Sequence, residues 1–360
     1  MELPWSSALD ISYVGSKSRH LNTQANINAP AYGAAYLAAN QDPTVGACPT
    51  ANGCAATSTV PGANALPVDF LRPYRGFGDI IQIQPSAYSD YNSLQTFWNR
   101  RFRNGLSFGV NYVLGKAMGT SSTDFPAGNN TFNPTVIGMP RTDGLENQRK
   151  ANYMPLSTDR RHTLVGNFVW ETPKLDRSGV VAGVLNGWQL SGVYRAGSGT
   201  PYTITYSIPG VSVYTLTGTT RLESARIVIN GNPGSGHSSD PYKQFNTGAF
   251  TAPSINSRGL ESGTNYMTQA PQNVLDLSIS RKIPIGERRR LEIRLDAFNA
   301  LNTVSFTTVN NTLQVRSLTD PTPTNLAMDA AGNVVNPTGF GAVTAVAPAR
   351  EVQLLIRLQF

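Results

Sequence analysis

The last eleven residues, 350–360, constrain the fold most, because apolar and polar residues alternate along them. Every second position is apolar, namely Val352, Leu354, Ile356, Leu358 and Phe360. Successive side chains of a β-strand point to opposite faces, so this segment is predicted to be a strand with one wholly apolar face. Its length is that of a tilted strand crossing a bilayer, although one such strand could equally cover the core of a soluble sheet.

The same alternation recurs along the chain and predicts about eight strands. The other strands are expected near residues 9–14, 91–102, 106–114, 161–171, 188–195, 275–280 and 290–297, the fifth of them with a continuation from Pro201 to Tyr206. The first strand is expected to end at Gly15 and to be followed by an irregular region up to about Asp90, which holds a short β-like piece at Ile80–Gln84. Long and short connections alternate, and four long loops are uncommon in a compact soluble domain.

Composition agrees with a membrane barrel. Charged residues make up 14% of the 360 residues, well below the roughly 25% of a soluble domain. No run of about 18 apolar residues is present, which excludes a transmembrane helix but not alternating strands. The fold class is therefore predicted to be all-β, an antiparallel transmembrane β-barrel segment with short periplasmic turns and long extracellular loops. The sheet is expected to be a partial barrel.

Charged residues lie opposite the apolar positions of the last three strands and are predicted to face the lumen. They are Asp276, Arg290, Glu292, Arg294, Asp296, Glu351 and Arg357. In a soluble sandwich the same residues would face water, so this feature alone does not decide the class. Aromatic residues at strand ends beside the short connections favour an interfacial girdle, and these are Trp5, Phe102, Trp170, Trp188 and Phe360.

No catalytic site, cofactor or metal is predicted. The three histidines, His20, His162 and His237, lack the spacing of metal ligands. Cys48 and Cys54 close a small loop rich in Pro, Gly and Asn, and they are predicted to form a disulfide in an oxidising compartment. The net charge of +7 is spread out, and its two arginine clusters lie at predicted turns, so nucleic acid is not an expected partner.

Several segments together resemble the Oar-like TonB-dependent receptors of the bacterial outer membrane. They are ISYVGSKSRHL at residues 11–21, YNSLQ at 91–95, NRRF at 99–102, DRRH at 159–162, GWQLSG at 187–192, FNALN at 298–302 and the terminal Phe360. The resemblance covers most predicted strands and few loop residues. It implies the outer membrane of a Gram-negative-type bacterium as the location and energised substrate uptake as the role.

In that family a plug domain precedes a barrel of about twenty-two strands, and TonB acts through the plug. Residues 1–360 resemble only the last third of such a barrel, and neither a plug nor a signal peptide is recognised in them. The implied partners are outer-membrane lipid, the rest of the receptor, and the barrel-assembly machinery, which would recognise Leu354, Ile356, Leu358 and Phe360. Two alternatives stay open: a self-contained eight-stranded barrel with a structural or adhesive role, and a secreted β-sandwich or lectin-like binder.

Overall fold

The long strands of the chain form one antiparallel sheet. The computed structural model describes residues 2–31, 33–40, 65–120, 153–173, 186–209, 216, 225–236, 239–254, 257, 262–286, 288–317 and 319–360. The long strands are β1 (Ser7–Asn26), β2 (Ile81–Arg103), β3 (Leu106–Gly119), β4 (His162–Glu171), β5 (Trp188–Gly197), β6 (Gln272–Ile285), β7 (Arg289–Phe298) and β8 (Glu351–Gln359).

Each long strand pairs antiparallel with the next, from β1 to β8. Two short strands extend the sheet: Glu2–Leu3 pairs with the start of β1, and Met154–Pro155 pairs with the end of β3. Within the described residues β8 has one sheet neighbour, so the sheet is open. The predicted all-β antiparallel class is confirmed, and the open sheet is compatible with a partial barrel.

The short connections come together at one end of the sheet. Asn104 and Gly105 join β2 to β3 with φ values of 52° and 75°, the left-handed backbone of a tight hairpin turn. A Cβ atom on Gly105 would lie 2.7 Å from the Glu171 carbonyl oxygen, so this turn needs glycine for space as well as for conformation. Gly286, with φ 71°, lies in the turn from β6 to β7 at the same end.

The register aligns the apolar residues into continuous rows. Trp170 lies opposite Leu190, which lies opposite Ile279. The same row continues through Leu295 to Leu354, so one face of the sheet is apolar across five strands. These side chains are not in a packed centre: Leu295 is 40% exposed and Leu354 is 64% exposed.

The first hairpin is longer than the sequence pattern predicts. β1 has 20 residues and β2 has 23, about twice the nine to eleven that cross a bilayer. The expectation of an irregular region is therefore wrong at both ends, for residues 16–26 and 85–90, whereas the β-like piece expected at residues 80–84 forms the start of β2. Residues 16–26 are mostly polar on both faces, so backbone pairing rather than an apolar stripe maintains the strand there. A bulge at His20, with φ 59°, shifts their register.

A buried polar cluster closes the far end of that hairpin. The Asn28 side chain is fully buried, donates to the carbonyl oxygens of Tyr74, Phe77 and Gly78, and accepts from the Tyr74 amide. Arg72 donates to Asp79 at 2.7 Å and to the Asn28 carbonyl at 3.0 Å. Burial lowers the pKa of Arg72, but its hydrogen bonds to carboxylates outweigh burial and raise that pKa overall. The short helices of this region are Ala34–Tyr36, Ala38–Asn40 and Val68–Leu71.

Two of the long loops are not irregular but pack into one unit, which we call the loop domain. It comprises the described parts of residues 198–271 and 299–350. Its strands are Pro201–Tyr202, Thr205–Ser207, Val228–Ile229, Phe250–Thr251, Met267–Thr268, Phe306–Val309, Thr312–Gln314 and Val343–Val346. Because the chain turns at residues 198–200 to enter this unit, the expected continuation of β5 from Pro201 to Tyr206 is wrong.

The loop domain has its own hydrophobic core, built from both segments. Thr312–Gln314 runs parallel to Thr205–Ser207 and links the segments. The buried core residues are Ile204, Tyr206, Ile208, Leu216, Ala225, Ile227, Phe245, Ala249, Phe250, Val309, Leu313, Val315 and Phe340. Burial raises the pKa of the Tyr202 and Tyr266 hydroxyls beside this core, so both phenols stay neutral.

Candidate functional site: the polar face of the sheet

The face of the sheet opposite the apolar rows carries the charges of β5 to β8, and we call it the polar face. All seven predicted charged residues occupy it: Asp276, Arg290, Glu292, Arg294, Asp296, Glu351 and Arg357. The strand register brings them together because each lies one position away from an apolar residue. Their orientation toward a barrel lumen stays a prediction, since the described sheet is open.

A cross-strand ion pair joins β5 to β6. The Arg195 guanidinium donates to Asp276, whose other carboxylate oxygen accepts the Asn299 backbone N–H at 2.9 Å. Arg195 is absent from the predicted set of charges. The alternation of β5 already places Arg195 among the polar positions. A long side chain can reach a residue two positions along from its direct partner on the neighbouring strand, so the sequence could have predicted the pairing with Asp276.

Charges of opposite sign continue across β6, β7 and β8. Lys282 lies opposite Glu292, and Glu292 lies opposite Arg357. Arg294 donates to Asp296 on its own strand at 2.9 Å. Alternating signs on adjacent strands stabilise the sheet and leave the polar face close to neutral.

A hollow of about 490 Å³ lies on the polar face across β4 to β7. Its lining combines amide, hydroxyl, carboxylate and guanidinium groups with apolar side chains. The polar groups come from Asn167, Ser191, Ser278, Asp276, Arg294 and Asp296, and the apolar ones include Val169, Val193 and Phe298. Such a surface can hydrogen-bond a polar solute or a polypeptide. No group of three potential metal ligands occurs among the described residues.

The predicted aromatic residues lie at the short-turn end, and two of them have a guanidinium group over the ring. The Arg281 guanidinium lies 5.5 Å from the Trp188 ring centre, and the Arg289 guanidinium lies 5.7 Å from that of Phe360. Phe360 is 86% exposed. The role of Leu354, Ile356, Leu358 and Phe360 as an assembly signal stays a prediction.

The remaining candidates fall outside the polar face. His162 Nδ1 is 2.8 Å from the Tyr112 hydroxyl on the apolar face, and His20 forms the bulge in β1. His237, Cys48 and Cys54 lie outside the described residues. The predicted disulfide therefore stays a prediction.

The Arg195–Asp276 pair is expected to contribute modestly to stability. The Arg195 side chain is 57% exposed, so a double-mutant cycle with Arg195→Gln and Asp276→Asn should give a coupling of about 0.2–1 kcal/mol. Urea unfolding of the four proteins at low and high salt measures it. The coupling should decrease with salt, and a salt-independent coupling above about 3 kcal/mol would contradict this assignment.

Comparison with known proteins identifies the class of this sheet. A family model described as "Outer membrane beta barrel domain" matches residues 1–353. The chain belongs to that family. No curated protein matches it. Among solved structures it is similar to the outer membrane transporter YddB from Escherichia coli, at 10% identity and a TM-score of 0.38, over 98% of this chain and 30% of the transporter.

Membership of this family gives the two faces of the sheet a physical meaning. The protein is located in the outer membrane, and its exposed apolar rows are suited to contact with lipid. No helix in the described part of the chain is long and apolar enough to cross a membrane.

Proposed function

We propose that the chain is the C-terminal part of the barrel of an Oar-like TonB-dependent receptor, which takes up its substrate with energy delivered from the inner membrane. The observation that supports a partial barrel most directly is the pairing at the edge of β1. Glu2–Leu3 runs antiparallel to Ser7–Ala8 through the turn Pro4–Ser6, at the end of the sheet where the other short turns lie.

That pairing disfavours closure of β8 onto β1. An eight-stranded barrel would need the outer edge of β1 for β8, but Glu2–Leu3 already occupies the start of that edge. Among the described residues, the outer edge of β8 (Glu351–Gln359) has no strand partner, so the backbone groups that point away from β7 lack a sheet neighbour. In lipid every backbone polar group needs a partner, so further strands of the same barrel are the expected neighbours.

In this proposal each face of the sheet has a separate task. The polar face forms part of the lumen wall, and its near-neutral pattern of alternating charges suits contact with a folded plug and with a passing polar substrate. The plug and its contact with TonB would be supplied by the rest of the receptor. The loop domain and the end of the first hairpin would face the exterior and meet the substrate first.

The loop domain favours one alternative, a self-contained surface barrel with an adhesive role. Its core of thirteen buried residues is separate from the apolar rows of the long strands. Such a unit could bind a partner without transporting anything. The two functions differ in the size of the native protein and in the need for energy.

An immunoblot of native outer membranes with antibodies against the loop domain tests the proposal. We expect a heat-modifiable band much larger than 38.7 kDa, the mass of this chain. Peptides of a plug domain should be found in the same band by mass spectrometry. A native heat-modifiable band at 38.7 kDa would contradict the receptor and support the small barrel. Blots of inner membrane and periplasm serve as controls.

A further inference from the structure

Three exposed aromatic side chains lie at the far end of the first hairpin. Phe70, Tyr74 and Phe77 are 58%, 54% and 63% exposed. They belong to residues 67–79, which we call the tip loop and which lead into β2. None of the three rings stacks on another aromatic ring in the part of the chain that the structure describes. Large apolar side chains that cluster on a surface in this way mark an interaction site.

The backbone that carries these rings is held by a buried side chain. Asn28 is fully buried, and its amide donates to the carbonyl oxygens of Tyr74 and Phe77, both at 3.0 Å. Its side-chain oxygen accepts the Tyr74 backbone N–H at 2.7 Å. Aromatic side chains have few rotatable bonds and here start from a fixed backbone, so ordering them on binding costs little conformational entropy. The tip loop is therefore preorganised for recognition.

The tip loop lies too far along the hairpin for its rings to meet the lipid around the sheet. The apolar alternation of β1 ends at Tyr13, and mostly polar residues follow as far as Asn26. At about 3.3 Å per residue, the strand from Tyr13 to Asn26 adds roughly 40 Å. In an outer-membrane barrel the long connections lie outside, so the three rings face the aqueous exterior.

One cation of the tip loop has no carboxylate beside it in the hydrogen-bond network. Both aspartates of the loop are bonded to the buried Arg72 side chain, Asp69 at 2.9 Å and Asp79 at 2.7 Å. The Arg75 guanidinium and the Tyr74 hydroxyl are exposed, and neither is bonded to another residue of the described ranges. Together with the net charge of +7 of the chain, this favours a partner that supplies carboxylates.

We infer that the tip loop binds a polypeptide segment that carries both apolar side chains and carboxylates. The three rings supply the apolar anchors and Arg75 pairs with a carboxylate, because aromatic residues and arginine dominate the energy of protein interfaces. A sugar fits less well, since two of the rings lack a hydroxyl and both aspartates are engaged with Arg72. This inference rests on the membrane family alone and not on the proposed receptor.

The test measures binding of labelled short peptides to the native protein that contains this chain, in phosphatidylcholine nanodiscs. A peptide of alternating Glu and Leu should bind about tenfold more tightly than one of Lys and Leu or one of Glu and Ser. Phe77→Ser should weaken binding of the Glu–Leu peptide about tenfold, because it removes an apolar anchor. Arg75→Glu should weaken the Glu–Leu peptide and strengthen the Lys–Leu peptide, each by about tenfold, because it inverts the charge that the partner meets.

Val335→Ser is the matched control, because Val335 is 61% exposed on the loop domain and its replacement also removes an exposed apolar side chain. It should change binding less than about twofold. Absence of binding by the Glu–Leu peptide, equal weakening by Phe77→Ser and Val335→Ser, or an unchanged charge preference of Arg75→Glu would overturn the inference. Displacement of the bound peptide by maltoheptaose would overturn it in favour of a glycan.

Discussion

Ile356→Lys is expected to destabilise the sheet in the membrane by about 2–4 kcal/mol. Ile356 lies near the middle of β8, opposite Ile293, and is 66% exposed on the apolar face. A lysine there would place an ammonium in hydrocarbon, where it has neither water nor a counter-ion. Urea titration of the native protein that contains this chain, reconstituted in phosphatidylcholine vesicles and followed by heat-modifiable migration, measures the change.

Gln353→Lys is the matched control on the same strand. Gln353 lies on the polar face opposite Asp296, so a lysine there gains a nearby carboxylate and stays wet. We expect a change below about 1 kcal/mol. If the two substitutions destabilised the protein equally, or if only Gln353→Lys did, the assignment of the faces would be wrong.

Phe340→Ala is expected to destabilise the loop domain by about 3–5 kcal/mol. Phe340 is fully buried, and its ring centre lies 5.1 Å from that of Phe245 and 6.0 Å from that of Phe250. Truncation would leave a cavity that the two neighbouring rings cannot fill without leaving their edge-to-face geometry. Hydrogen exchange of the full protein measures the local loss of protection.

The loss should be confined to the loop domain. Amides such as Phe340 N, which donates to the Asn325 carbonyl at 2.7 Å, should exchange faster, whereas the amides of β6 and β7 should not. Val335→Ala is the control, because Val335 is 61% exposed and its truncation leaves no cavity. Equal acceleration in the long strands would show that the loops and the sheet unfold as one unit.

The sheet was predictable because its signal is local. A period of two along Leu354, Ile356 and Leu358 assigns both the strand and its faces. The same pattern on β7 then excludes registers shifted by one residue, because these would put apolar side chains on opposite faces. The short turns were equally readable from Asn104-Gly105. The pairing of Arg195 with Asp276 could also have been predicted, by comparing the polar positions of β5 with those of the neighbouring strand β6.

The extended hairpin and the loop domain were not predictable for a different reason. Residues 16–26 have no apolar alternation, because beyond the membrane both faces of a strand meet water. In the loop domain, Thr205 hydrogen-bonds Thr312 across 107 residues, and no local pattern marks such a contact. The core residues of the loop domain occur singly between Gly, Ser and Pro residues. The local composition therefore predicts an irregular loop, although these residues pack together into a domain.

Quenching of intrinsic fluorescence by brominated lipid tests the central claim most directly. The chain has four tryptophans, and Trp98, Trp170 and Trp188 all lie on the apolar face. If that face meets acyl chains, replacing phosphatidylcholine with its dibrominated form should remove most of the tryptophan emission of the folded protein. Emission that is unchanged by the brominated lipid would mean that protein covers those rings and that this sheet does not lie in the membrane.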